Sequence, residues 1–379
     1  MRPDDRGRDH HALRILLVQL SASFAGTERH AIELANALAE EHAVALLLRA
    51  RPGEPGRWPA YDAMRRSVSG RVRVYATPRA MPVPGLWRAL LAFRPEVVHA
   101  HHERSARIAA GYAPGVPVLA TIHMHWRARD FGRCDGVVCL TAEAAAEVPA
   151  SYRGQRFVIG NWVLPHPAPA APMLAALRAE LGLHPDDFVV GTVARLEPVK
   201  GVASLLTAFH DLALPRGRLV VVGEGSERAA LQAHADTLKL SGQVVFTGFR
   251  ADVRDLYALF DVFVLNSSDE PYGLAILEAA AAGVPVIASA TAGARAIAAA
   301  LPLDLIPVGD RAALTQAMRR AVAKPGRQLA PRTGFAIGDR LPQIVDAYRH
   351  LIETRRAATP DRRVLHPVLT RDSSNPDAG

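Results

Sequence analysis

The sequence predicts two consecutive α/β domains, each built on a doubly wound parallel sheet. The chain has 379 residues, which is enough for two domains with buried cores. Short apolar runs alternate with helical patterns along most of it, as βαβ units do, and this pattern stops at a proline-rich segment and then restarts. Because such sheets bind ligands at the carboxyl ends of their strands, two of them facing each other place a site in the cleft between them.

Five strands are expected in each half of the chain. Those of the first half cover residues 13–20, 43–48, 97–100, 116–122 and 136–140. Those of the second half cover residues 188–193, 219–222, 244–247, 262–265 and 284–288. After the first strand, Ala31, Leu34, Ala35 and Leu38 recur at the spacing of one helix face.

The segment LPHPAPAAP marks the boundary between the domains, because its prolines interrupt both helix and strand. We predict a flexible N-terminus over residues 1–12 and a first domain over residues 13–163. A linker follows over residues 164–175, and a second domain over residues 176–356. Residues 357–379 are polar and contain prolines, which indicates a disordered tail.

Composition indicates a reduced, cytoplasmic protein. The chain has two cysteines, Cys134 and Cys139, which is too few for a disulfide framework, and their spacing is not that of a zinc site. The N-terminus carries three aspartates and lacks the small-residue cleavage site of a secretory signal. No apolar run reaches the roughly 20 residues that a membrane-spanning helix needs.

The net charge of +8 is concentrated in the first half, which carries +7 against +1 for residues 164–379. It indicates either an anionic partner, such as a membrane surface or an acidic acceptor, or an arginine-rich background. Six arginines lie before or within the amphipathic stretch GLWRALLAF: Arg65, Arg66, Arg71, Arg73, Arg79 and Arg88. That stretch is either a membrane-surface helix or an ordinary buried one. No nucleic-acid-binding module is present in the sequence.

Residues 266–293, NSSDEPYGLAILEAAAAGVPVIASATAG, join a strand end, a polar loop and a helix that opens at Gly273. A helix N-terminus presents free N–H groups and the positive end of the helix dipole, so it suits a phosphate. Glu270 precedes this helix and either faces a ligand or caps it. Glu278 lies about one and a half turns inside, among alanines, where a carboxylate needs a partner: a ribose diol or an arginine.

Two positively charged residues occur in the segment VGTVARLEPVKGVASLLTAF. Arg195 and Lys200 follow a strand, and Gly201 opens the next helix. The chain has only three lysines, so one in this loop is informative. An arginine that binds bidentately and a lysine that acts as a point charge together suit a diphosphate, although either alone would suit a solvated loop.

Both segments resemble the retaining glycosyltransferases of family 4, which have the GT-B fold of two Rossmann-like domains facing a central cleft. That family has two glutamates separated by seven residues, with a Gly between them and Ala-x-x-x-Gly-x-Pro-Val-Ile following. The matching residues here are Glu270, Gly273, Glu278, Gly283, Pro285, Val286 and Ile287. The second segment is similar to the family's Gly-Arg-Leu-x-Pro-x-Lys-Gly, with Ala194 in place of the first Gly.

The resemblance implies a role for each matching residue. Glu278 would bind the ribose of a nucleotide, and Glu270 would lie beside the sugar being transferred. Arg195 and Lys200 would hold the leaving diphosphate. The backbone amides after Gly273, starting with Leu274, would face the same diphosphate.

The first half carries weaker matches to the family. The Gly-Gly loop and Glu of the family correspond here to Ala25, Gly26 and Glu28, so Gly26 is expected to bring backbone close to the phosphates or the acceptor. His123 matches the family's Thr-x-His and would line the cleft near the transferred sugar. The family often has a Glu beyond the second glutamate where this chain has Ala296. The loop GEGSERAAL resembles a family loop expected to pack near the donor.

The implied reaction moves a sugar from a UDP- or GDP-sugar to a hydroxyl of a glycan or lipid-linked acceptor, with retention of anomeric configuration. We expect no metal requirement, because Arg195, Lys200 and the helix amides supply positive charge and no Asp-x-Asp signature is present. Such an enzyme would serve cell-envelope polysaccharide synthesis, in the cytoplasm or on the inner face of the membrane.

Three other functions stay open at this level. A metal-dependent hydrolase would use His99, His101, His123 and His125, which form two His-x-His pairs at strand ends. A non-catalytic sugar-nucleotide binder would explain Ala25 and Ala296. An epimerase with the same fold would make product without an acceptor. Among the histidines, His99 and His102 are expected to be structural.

Overall fold

The computed structural model describes residues 11–21, 26–50, 59–326 and 334–358. The predictions for most of the N-terminus, for Ala25 and for residues 359–379 fall outside these ranges. Within them the chain forms two parallel-sheet α/β domains, as the sequence predicts.

The first sheet has seven parallel strands in the order β3-β2-β1-β4-β5-β6-β7 within the described ranges. Its strands are β1 (Arg14–Gln19), β2 (Ala43–Arg49), β3 (Arg73–Thr77), β4 (Val97–His101), β5 (Val118–Ile122), β6 (Gly136–Cys139) and β7 (Gln155–Val158). The helices between them are α1 (Gly26–Leu38), α2 (Pro59–Ser67), α3 (Pro82–Phe93), α4 (Glu103–Tyr112), α5 (Ala128–Phe131) and α6 (Ala142–Ala146).

The second sheet has six parallel strands in the order β10-β9-β8-β11-β12-β13, again among the described residues. Its strands are β8 (Phe188–Val193), β9 (Gly217–Val222), β10 (Val244–Gly248), β11 (Val262–Leu265), β12 (Val286–Ser289) and β13 (Leu303–Ile306). The later helices are α7 (Ala171–Glu180), α8 (Val202–Leu212), α9 (Arg228–Thr237), α10 (Val253–Leu256), α11 (Leu274–Ala281), α12 (Ala292–Ala298), α13 (Arg311–Ala323) and α14 (Ile337–Ala358).

Both sheets reverse their strand order once, between β1 and β4 and between β8 and β11. In open α/β sheets the ligand site lies beyond the carboxyl ends of the strands at such a switch point. The two switch points therefore identify the edge of each sheet at which a ligand is expected to bind. Each sheet is covered on both faces, because adjacent residues such as Leu16 and Leu17 enter different hydrophobic clusters.

The structure contains three strands that the sequence did not predict: β3, β7 and β13. The strands β3, β7 and β13 lie at the edges of their sheets. Edge strands are buried less completely than central ones, and the burial of β7 is low along its whole length. Their sequences therefore lack the continuous apolar run that identified the central strands.

The last helix returns to the first domain. Buried residues of α14, among them Tyr348 and Leu351, share a hydrophobic cluster with Leu17 and Leu34. The predicted second domain, 176–356, includes this helix because sequence order alone assigns it there. The linker also differs from the prediction, since α7 begins at Ala171, inside the range 164–175.

The chain thus crosses between the domains twice, and the crossings are bonded together. The amide of Val163 donates a hydrogen bond to the carbonyl of Phe335 at 2.8 Å. None of the helices in the described ranges has the length and apolarity that a bilayer crossing requires.

The anchoring of α14 gives a test of stability. Tyr348 and His99 share a hydrogen bond of 2.7 Å in the core. Tyr348→Phe leaves that buried imidazole nitrogen without its partner, so we expect the free energy of unfolding in urea to fall by about 1–3 kcal/mol. The matched control is Tyr75→Phe, because the buried Tyr75 hydroxyl has no partner among the described residues. Equal losses in the two variants would contradict this account.

Candidate donor site and histidine cluster

The loop after β8 is held against the loop after β11 by a glycine. Gly201 has φ +62°, and a methyl group there would overlap the carbonyl oxygen of Asn266. The Asn266 side-chain amide in turn donates to the carbonyl of Gly201 at 3.0 Å. A residue with a Cβ would separate these backbones, so glycine is required at this position.

This contact brings Lys200 and Glu270 together. Lys200 lies in a short 3-10 helix, Pro198–Lys200, directly before Gly201. Its Nζ lies 2.7 Å from Oε2 of Glu270, and the two side chains are 14% and 15% exposed. Two residues predicted from separate segments of the sequence therefore form one partly buried ion pair. An ion pair that is largely removed from water interacts more strongly than a surface pair.

The start of α11 lies next to this pair and faces the other domain. Gly273 has φ +96° and precedes the helix without a side-chain cap. The positive end of the helix dipole is therefore available to a ligand. Across the domain boundary, a Cβ added at Gly26 would lie 3.2 Å from Cδ1 of Leu274. The structure thus brings together Gly26, Gly273 and Leu274, which were predicted from different halves of the chain.

Arg195 lies in the same loop as Lys200 but is exposed. The loop is supported by Gly223 and Gly225, where added methyl groups would overlap the carbonyl oxygens of Ala194 and Leu196. The glycines of GEGSERAAL therefore let two loops pack closely at the sheet edge. Within the described part of the chain, no hydrogen bond or ion pair joins Arg195 to Lys200 or Glu270.

Glu278 is held by an arginine from the opposite domain. Its Oε1 accepts from Nη1 of Arg29 on α1 at 2.9 Å, and its Oε2 accepts from the Tyr257 hydroxyl at 3.0 Å. Nε of Arg254 lies 3.7 Å from Oε1. Burial raises the pKa of Tyr257 well above its ordinary value, with a further contribution from the Glu278 charge. Of the two partners considered for Glu278, the structure shows the arginine, and a ribose would have to share or replace it.

A second ion pair, between Arg254 and Glu33, also joins the two domains. Arg254 bonds Glu33 of α1 at 2.8 Å, and the indole N–H of Trp162 donates to the same carboxylate at 3.1 Å. Burial raises the pKa of Glu33, and the Arg254 charge opposes that shift. Sequence analysis missed Arg29, Glu33 and Arg254, because their partners lie across the domain boundary.

A cavity of about 550 Å³ lies beside these ion pairs, where the chain crosses between the domains. It is lined by the linker around Pro167, by Phe335 and by Glu278 and Arg254. Lys200, Glu270 and Arg195 do not line it. Of these four predicted site residues, Glu278 lines the cavity.

The histidines of the first domain separate into different environments. Both ring nitrogens of His99 are bonded, to Tyr348 at 2.7 Å and to Thr121 at 2.8 Å, which supports the structural role predicted for it. Burial lowers the pKa of His99 to about 3, with the charge of His123 adding to the effect. His125 is instead paired with Asp269 of the second domain at 2.8 Å, and this bond raises its pKa.

His101 and His123 lie together with His30, a residue that sequence analysis did not select. The three offer ligand atoms within 4.8 Å of one another. Burial lowers the pKa of all three, that of His123 to about 3. His99 and His125 lie outside this group, so the four histidines of the hydrolase alternative do not form one site.

Comparison with known proteins identifies the class. Residues 24–164 match the family Glycosyltransferase Family 4, and residues 175–332 match the family Glycosyl transferases group 1. The chain is 29% identical over 337 residues to the lipopolysaccharide core biosynthesis glycosyltransferase LpsD of Rhizobium meliloti (strain 1021), covering 86% of this chain and 95% of that protein. It is also 29% identical over 317 residues to D-inositol 3-phosphate glycosyltransferase 1 of Catenulispora acidiphila, covering 69% and 73%.

Solved structures agree on the fold. Anabaena Alr3699/HepE in complex with UDP and glucose superposes with a TM-score of 0.70 at 19% identity, covering 91% of this chain and 98% of that one. The chain is therefore a GT-B glycosyltransferase of the group 1, family 4-like type. The predicted fold class and enzyme class are confirmed, and the roles of single residues stay predictions.

The contact at Gly201 can be tested with a matched glycine. Gly201→Ala combines a left-handed backbone with overlap against Asn266, so we expect it to lower the free energy of unfolding by about 1–3 kcal/mol. Gly182→Ala has the same kind of backbone, φ +64°, but open space around its Cβ. Urea unfolding of both variants measures the difference. A loss at Gly182 as large as that at Gly201 would show that the loop contact adds nothing.

Proposed function

We propose that this enzyme transfers a sugar, with retention of anomeric configuration, from a UDP- or GDP-sugar to a hydroxyl group of a glycan or lipid-linked acceptor. The observation that carries the proposal is the Lys200–Glu270 pair beside the uncapped start of α11. It lies at the switch point of the second sheet, where a doubly wound fold binds a nucleotide.

The diphosphate of the donor is placed against positive charge from three sources. Lys200 supplies an ammonium group, and the exposed Arg195 supplies a guanidinium group. The first backbone amides of α11 supply the positive end of a helix dipole. These groups stabilise the negative charge that grows on the leaving diphosphate as the sugar departs. They supply the charge that a metal provides in other sugar-nucleotide enzymes, so we expect transfer to need no metal.

In the proposed step, the bond between the anomeric carbon and the diphosphate oxygen breaks, and the acceptor oxygen bonds to that carbon on the same face. The acceptor proton moves to the departing phosphate oxygen. Glu270 is ion-paired with Lys200, which suits it to position the sugar and the lysine rather than to remove a proton. His123, neutral at physiological pH, would orient the sugar by hydrogen bonding.

Donor binding is coupled to domain contact through Glu278. The ribose diol is expected to bind this carboxylate, whose present partner, Arg29, belongs to the first domain. A carboxylate can accept about four hydrogen bonds. Tyr257, an arginine and a ribose hydroxyl would together occupy most of these positions. We therefore expect nucleotide binding to perturb the Arg29–Glu278 ion pair that joins the domains.

The acceptor is expected to be anionic and to bind the first domain. Arg49 ends β2, Arg79 follows β3, and Arg104 lies in the first turn of α4, where its guanidinium donates to the carbonyl of Arg79 at 2.8 Å. Burial lowers the pKa of Arg49, and the charges of Arg79 and Arg104 add to this. An acidic acceptor would relieve that repulsion. The relative named for D-inositol 3-phosphate supports a phosphorylated acceptor.

Helix α3 supports peripheral contact with the inner face of a membrane. Its Leu86, Ala89 and Phe93 are buried, while Trp87 and Leu91, one turn apart, are 52% and 78% exposed. An exposed aromatic and an aliphatic side chain beside arginines are typical of helices that lie at an anionic bilayer surface. Such a location would give a cytoplasmic enzyme access to a lipid-linked acceptor.

The diphosphate assignment predicts the effect of two substitutions. Lys200→Ala and Glu270→Gln should each reduce turnover of the donor by more than about tenfold, because each removes one partner of a charge pair in a dry site. Lys324→Ala is the matched control, since Lys324 is exposed. Calorimetry with UDP, GDP and ADP selects the donor for the assay. Full activity of Lys200→Ala would remove this assignment.

Membrane contact can be tested by flotation with anionic phosphatidylglycerol vesicles at low salt. We expect the wild-type protein to float with the vesicles and the double variant Trp87→Ser, Leu91→Ser to lose most of this binding, because it removes the exposed apolar area of α3. Met173→Ser, which changes another exposed apolar side chain, should float as wild type. Absence of the wild-type protein from the floating fraction would end the membrane proposal.

A further inference from the structure

Three histidines converge at the carboxyl edge of the first sheet, outside the predicted diphosphate site. His30 lies in α1, His101 ends β4, and His123 follows β5. This edge lies at the switch point between β1 and β4. The loops and helices that follow neighbouring strands meet there, which brings residues 30, 101 and 123 into one cluster although they are far apart in sequence.

The geometry of this cluster fits a tetrahedral metal ion. Nδ1 of His101 lies 3.3 Å from Nε2 of His123. Two nitrogen ligands of a tetrahedral zinc ion, each about 2.0–2.1 Å from the metal, are about 3.3–3.4 Å apart. Three ligand atoms within 4.8 Å of one another leave a point within about 2.8 Å of all three. Small side-chain rotations therefore bring all three nitrogens to bonding distance.

Unpartnered polar atoms occur on two of these histidines and on the neighbouring Gln19. Nδ1 of His30 and Nε2 of His101 are buried and have no hydrogen-bond partner among the described residues. Gln19 pairs with His101 in the register of β1 and β4, and both polar atoms of its buried amide also lack a partner within the described ranges. Buried polar groups nearly always have partners, so several unpartnered ones in one place point to a ligand.

The rings are held in place for such a ligand. His30 stacks on Trp162 with ring centroids 3.8 Å apart. His101 is fully buried at the end of a central strand. A site whose ligands are already fixed loses little entropy when it binds an ion.

We propose that His30, His101 and His123 bind a divalent first-row transition-metal ion, with zinc as the preferred biological ion. Imidazole nitrogens favour Zn²⁺, Cu²⁺ and Ni²⁺ over Mg²⁺ and Ca²⁺, which prefer oxygen ligands. The fourth position of the tetrahedron is left for a water molecule, and the amide of Gln19 is suited to hydrogen-bond it.

The ion would inhibit the transferase, and this consequence rests on the proposed function. His123 is expected to contact the transferred sugar, so a metal on its Nε2 removes that nitrogen from the sugar. Zinc should therefore lower transfer, and magnesium should leave it unchanged. Metal binding itself is measured without donor, so failure of the donor assignment would not affect it.

The test uses the full chain without a polyhistidine tag, stripped with EDTA. Calorimetric titration with Zn²⁺ should show a saturable site, and Co²⁺ should give the visible bands of four-coordinate cobalt. His30→Phe keeps a ring against Trp162 but removes one ligand, so we expect it to bind zinc at least about tenfold more weakly and to lose the cobalt bands. His210→Ala, at an exposed histidine of α8, should bind as wild type.

Thermal stability provides a second measurement, and for the wild-type protein it needs no variant. An ion that binds the folded chain raises its unfolding temperature, so Zn²⁺ should stabilise the wild-type protein and His210→Ala, and His30→Phe less. The proposal is overturned by a wild-type chain with no saturable zinc site, by six-coordinate cobalt spectra, or by His30→Phe binding zinc as tightly as wild type.

Discussion

The close approach of Gly201 to the carbonyl of Asn266 determines the geometry of the second domain's site. It joins the loops after β8 and β11, which are the two central strands at the switch point of that sheet. Lys200 and Glu270 project from these loops, so their ion pair depends on the backbones touching. The role proposed for Lys200 toward the diphosphate depends on that contact, because without it the lysine would lie on a separate and solvated loop.

The first domain meets this site through α1. Gly26 at the start of the helix faces Leu274, Arg29 pairs with Glu278 one turn later, and Glu33 pairs with Arg254 after one further turn. Residues spaced by three or four lie on one helix face, so a single helix presents all three contacts. His30 lies on the same stretch of this helix, between Arg29 and Glu33, and stacks on Trp162, whose indole N–H donates to Glu33. Helix α1 therefore carries residues of both the interdomain contacts and the histidine cluster.

Sequence analysis predicted the strands and the site residues that local sequence patterns encode. The central strands are continuous apolar runs because both faces of each sheet are covered, and Glu270, Gly273 and Lys200 stand in motifs of fixed spacing. Edge strands β3, β7 and β13 lacked such runs. The return of α14 to the first domain could not be predicted, because its apolar face would fit either core. Arg29 and His30 were missed because their partners lie in other elements, at sequence separations that no local pattern reports.

The two sheets use the same topological feature for different chemistry. At the second switch point, the loops supply a lysine, an exposed arginine and a helix start, all of which favour negative charge. At the first, β1 and β4 end in buried neutral groups, Gln19 and His101, with His30 and His123 beside them. A sugar diphosphate has a charged half and a neutral half. In the proposed function, the charged half would bind the second domain and the neutral sugar would face the uncharged groups of the first, so the polarity of the donor would help to orient it in the cleft.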